Sequence, residues 1–145
     1  MKREYIIGGC IGLVFIIAII VCIVVNKVKK PGSTYTPTVA KIISIDENDN
    51  VKEEEFKVKL ENDDKTKLKE YTDKIEASIN SGDKYGMSII CDYVIHINEN
   101  TSIRFKSNIK EYIEYIDETK DGFDKKTVTR APDGFIDWVL EHIKE

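Results

Sequence analysis

The stretch YGMSIICDYVIHI, residues 85–97, decides how the chain is read. Tyr85, Met87, Ile89, Cys91, Tyr93, Ile95 and Ile97 occupy every odd position, and side chains two apart share one face of a strand. One long strand with an apolar odd face is therefore expected. The even face is mixed: Ile90 and Val94 stand between Ser88, Asp92 and His96, an apolar centre with a polar rim. That pattern makes Ile90 and Val94 the candidate contacts for a protein partner. The other reading is that the last helix, with Trp138, crosses over and covers them.

Outward from this strand the pattern continues in both directions. Asn98, Glu99 and Asn100 supply a turn into a strand over 101–106. Upstream, Leu68, Tyr71, Ile75 and Ile79 recur at helical spacing behind a cap at Asp63 and stop at Ser81-Gly82. Earlier still, 39–46 and 56–60 read as two strands joined by the polar run 47–52. Downstream, Ser107 caps an expected second helix carrying Ile109, Tyr112, Ile113 and Ile116. A short strand over 126–130 follows, and Pro132 and Asp133 open a last helix with Phe135, Ile136, Val139, Leu140 and Ile143 on its apolar stripe. The expected fold class is α+β, of order ββαββα(β)α, with an antiparallel sheet covered mainly on one face.

Residues 39–145 form the expected soluble domain, preceded by a stalk over 31–38 and an anchor with basic flanks over 1–30. Between Tyr5 and Val25 there is no charged side chain, and 21 helical residues span about 31 Å, the thickness of a hydrocarbon core. A single transmembrane helix is expected, retained as a signal anchor because no small-x-small cleavage site follows it closely. Ile7-Gly8-Gly9-Cys10 has the composition of a lipidation box, but the apolar region follows Cys10 instead of ending there. Gly8 and Gly12 form a G-x-x-x-G pair, the candidate helix-helix contact for a homo-oligomer. Basic residues are nearly balanced across the span, and the uncharged stalk favours an extracytoplasmic domain.

The formal charge of −4 conceals an asymmetry: five basic residues flank the span, leaving 17 basic against 25 acidic residues, a net −8, in 31–145. A surface this acidic repels phosphate backbones, so nucleic acid is excluded as a partner. Cys91 alone of the three cysteines lies in the domain, so the domain has no internal disulfide.

Catalysis finds little support in the residues. Cys91 and His96 on one strand would face opposite ways about 16 Å apart, too far for a nucleophile and its base. His142 beside Glu141 reads as a solvated surface residue. The run from Asp46 lacks the glycine and the glutamate of a calcium loop, and the run from Asp117 has Val128 at the twelfth position, so no metal ligand is assigned. No catalytic residue or cofactor is assigned either. Asn100-Thr101-Ser102 is a glycosylation sequon, meaningful only in a lumenal setting. The expected function is a membrane-anchored protein-binding or assembly module without catalytic activity of its own. The alternatives are an accessory subunit of a membrane-associated enzyme or transport complex, or a calcium-responsive envelope or adhesion domain.

Overall fold

The computed structural model describes residues 35–143. The expected span, including Gly8 and Gly12, lies outside the described residues; among these no helix is long and apolar enough to cross a membrane. The elements are β1 (Thr38–Ile45), β2 (Val51–Lys59), α1 (Asp63–Asn80), β3 (Tyr93–His96), β4 (Thr101–Lys106), β5 (Ile109–Asp117), a 3-10 turn (Gly122–Asp124), β6 (Lys126–Arg130) and α2 (Phe135–Glu141). The six strands form one antiparallel sheet in the order β2-β1-β3-β4-β5-β6.

Both helices pack against one face. Val39, Ile95, Ile103 and Tyr115 are register partners across four strands, and Tyr93, Phe105, Ile113 and Thr129 form the next row. Onto these rows α1 lays Leu68 and Ile75, and α2 lays Phe135, Ile136, Trp138 and Val139. Tyr71 meets the Phe135 ring at 5.2 Å in a T-shaped contact and the Trp138 ring at 5.5 Å in a tilted one, joining the two helices. Each such side chain, once buried, contributes about 1.5 to 3 kcal/mol, so this layer carries most of the fold.

Two expectations are corrected here. Residues 109–117 are a strand, not a helix. Their apolar positions do recur at three and four, but Ile113 and Tyr115 face the helices while Glu114 and Ile116 are buried on the other side. A strand buried on both faces loses its alternation, and its isoleucines and tyrosines are strand formers. The element order is therefore ββαββββα. The long strand is likewise cut short: only Tyr93–His96 is a strand, with Tyr85 joined to Val128 by an isolated bridge.

Residues 86–92 instead cross the face of the sheet opposite the helices. Ile89 and Cys91 pack there on Val94, Ala40 and Ile42, forming a second, smaller core. Register shifts on either side of Ile42 bend the β1–β2 hairpin toward this same face. Its tip, Asp49, reaches β4 and β6, where its carboxylate meets Arg104 at 2.9 Å and Lys126 at 3.3 Å.

Candidate functional site

The face opposite the helices holds the densest polar chemistry. Arg104 and Glu114 are register partners on β4 and β5 and both are buried. Their charged ends stand 4.0 Å apart, and Asp49 closes the group from the hairpin tip. A backbone turn in which Asp46 accepts from the Asn48 and Asn50 N–H groups holds Asp49 at φ 65°. The run from Asp46 is thus a hairpin turn whose carboxylates are engaged with the protein.

Nearby, His96 lies 2.6 Å from Glu53, and Lys57 lies 2.6 Å from the other oxygen of that carboxylate. Burial pushes the Glu53 carboxyl up, but the Lys57 ammonium and the His96 ring outweigh it and hold the group below its ordinary value. A groove of about 340 Å³ opens between this hairpin and the β3–β4 turn, floored by Arg104 and Ser102. The Arg104, Asp49 and Glu53 charges that line it are each paired within the protein.

Cys91 and His96 come to the same face of the sheet, contrary to expectation, because Cys91 is not part of β3. They nevertheless serve different neighbours. The Cys91 thiol points to the Ile89 carbonyl at 3.6 Å, and burial followed by the nearby Glu114 charge pushes it up to about 12. A thiol so held is a poor nucleophile. His142 is also corrected: it is half-buried, edge-on to Trp138, and bonds Asp64 at 3.0 Å and the Trp138 carbonyl at 2.8 Å. It ties the end of α2 to the start of α1. Among the described residues no three His, Cys, Asp or Glu side chains are grouped to hold a metal ion. The turn after β5 has Asp117 bonded to Thr119 and Lys120, so its leading carboxylate is also engaged.

The candidate partner contacts are not brought together. Val94 is 1% exposed in the second core, while Ile90 is 81% exposed on the crossing segment. No apolar patch joins them. Nor does α2 cover Val94, since Trp138 lies under the other face. An exposed apolar side chain beside a hollow stands elsewhere, at the β2 edge of the sheet. Phe56 is 67% exposed beside a hollow of about 200 Å³ walled by Val39, Val58, Tyr93 and Ile143. Ile43, 56% exposed, follows Lys41 on the same side of β1. Two β1 residues span four on β2 between Lys57 and Glu53, so the edge bulges where Phe56 stands. That bulge, with Lys52, Glu54, Glu55, Lys57 and Lys59 around it, blunts the edge against strand addition. What it offers a partner is side chains.

Sequence reasoning missed this surface because Phe56 sits in strict alternation with Lys57 and Glu55 and so reads as the buried side of a strand. The signal available was the triple Glu53-Glu54-Glu55 before it, which breaks the alternation. Comparison with protein-family models, curated proteins and solved structures gives no match for this chain.

Proposed function

We propose that the chain is a single-pass membrane protein, anchored through residues 5–25, whose domain is a protein-binding or assembly module without chemistry of its own. The reading places the domain on the extracytoplasmic side. The observation that carries the binding role is the apolar hollow with Phe56 at its mouth, on an edge too bulged and charged to pair with another strand. The anchor reading is supported by the charge-free length of the span alone. Fractionation tests the anchor: the full chain should stay with membranes through an alkaline carbonate wash.

Photo-crosslinking tests the surface. A crosslinking residue replacing Phe56 in the full chain, in its native membrane, should give discrete adducts that disappear with Ile43→Ser. The same residue at the exposed position Lys69 should give none. Diffuse labelling equal at both positions would sink the binding surface.

A further inference from the structure

The hollow at the β2 edge and the ring beside it match one another in size. A cavity of about 150 Å³ is room enough for a benzene ring, and this one is about 200 Å³, with Val39, Val58, Tyr93 and Ile143 as walls. Phe56 stands at its mouth, 67% exposed, and leaves the interior open. The same rim carries one charge of each sign. Lys41 and Glu54 both line the hollow, 3.8 Å apart, with side chains 54% and 47% exposed. An ion pair so exposed holds little energy and can exchange partners at little cost. Knob, hole, cation and anion thus lie in one patch. A two-fold interface requires this, because wherever residue i meets j, j also meets i.

We propose that the partner at this surface is a second copy of the chain, each copy inserting Phe56 into the other's hollow while Lys41 of each meets Glu54 of the other; the inference rests on the binding surface proposed above. Charge picks out this patch. Residues 31–145 carry a net −8, so two copies repel one another over most of their surfaces. β1 and β2 carry four lysines against three glutamates, so here the copies meet across a nearly neutral strip. A strongly basic partner is drawn instead to the acidic faces elsewhere, and a strongly acidic one is repelled by them. The bulge in β2 keeps the two backbones from pairing, which leaves side chains to make the contact. The two exchanged rings lie close to the axis, where an aromatic pair adds to the burial of its area.

The test uses the full chain expressed in cells in two differently tagged forms, with p-benzoylphenylalanine replacing Phe56. Irradiation should give an adduct that carries both tags, its crosslink mapping to Val58, Tyr93 or Ile143. Lys41→Glu alone sets two carboxylates against each other across the axis, and Glu54→Lys alone sets two ammonium groups. Each should cut the two-tag adduct about tenfold. Both changes in one chain reverse the pair and should restore it. So should a Lys41→Glu chain with one tag expressed beside a Glu54→Lys chain with the other. Adducts with a different protein and none with two tags overturn the inference and leave the binding surface standing. Labelling at position 56 no greater than at Lys69 removes the surface and the inference together. A two-tag adduct that maps outside the hollow, or that is indifferent to the single reversals, overturns the exchange and assigns the pairing to another part of the chain. Loss in the single variants without recovery in the double one overturns it too, because the two charges then do not meet across an axis.

Discussion

Arg104 shows how one residue fixes the hairpin. Its guanidinium is buried beside Glu114, and Asp49 supplies its closest carboxylate from the hairpin tip. Asp49→Ala should leave that buried cation short of a partner and cost about 1 to 3 kcal/mol, read as a shift in urea midpoint. Lys126→Ala, whose ammonium is 39% exposed, should change the midpoint little. An unchanged midpoint for Asp49→Ala would mean that water replaces the carboxylate and that the tip is not held by this pair. None of this was legible in the sequence, since Asp49 and Arg104 are 55 positions apart and only the bend of the hairpin joins them. Val94, which the alternation had placed on the mixed even face, is buried there with Ala40, Ile42 and the crossing residues Ile89 and Cys91.

At the scale of elements, the helices and most hairpins were readable because each announces itself locally. α1 ends as its Ser81-Gly82 signal requires: the Gly82 and Asp83 N–H groups donate to Ile79 and Ser78, with Gly82 at φ 94°. A methyl group on Gly82 would meet nothing within 4 Å, so Gly82→Ala tests the backbone alone. It should cost about 1 kcal/mol in thermal or urea unfolding, the penalty for a left-handed alanine. A neutral result would mean that this turn relaxes freely. β5 and the segment 86–92 were misread for a shared reason. The segment 86–92 covers the far side of the sheet and β5 is buried on that side as well, and a one-sided pattern argument has no means of seeing a second covered face.

For the molecule as a whole, the helix-covered face was legible and the opposite face was not, and that second face sets the response to acid. Glu53 on β2 reaches His96 on β3, past the intervening β1, and so joins the bent hairpin to the centre of the sheet. Its carboxyl is held below the ordinary value of 4.5, with Lys57 and His96 as the charged groups facing it. A carboxylate with a lowered native value contributes stability that is complete above the unfolded value and disappears as pH falls through the native one. Asp46, Asp83 and Asp117 are lowered too, by hydrogen bonds chiefly from Asn50, Tyr85 and Thr119, and add in the same direction from solvent-exposed positions. Melting temperature should therefore be nearly level while pH is well above 4.5 and fall steadily below it. Glu53→Gln should lower the plateau and flatten the acid limb, because the group whose protonation drives part of the loss is gone. Melts followed by circular dichroism at a series of pH values read both features. An acid limb as steep in Glu53→Gln as in the unsubstituted chain would show that the Glu53–His96 contact does not couple the hairpin to the sheet.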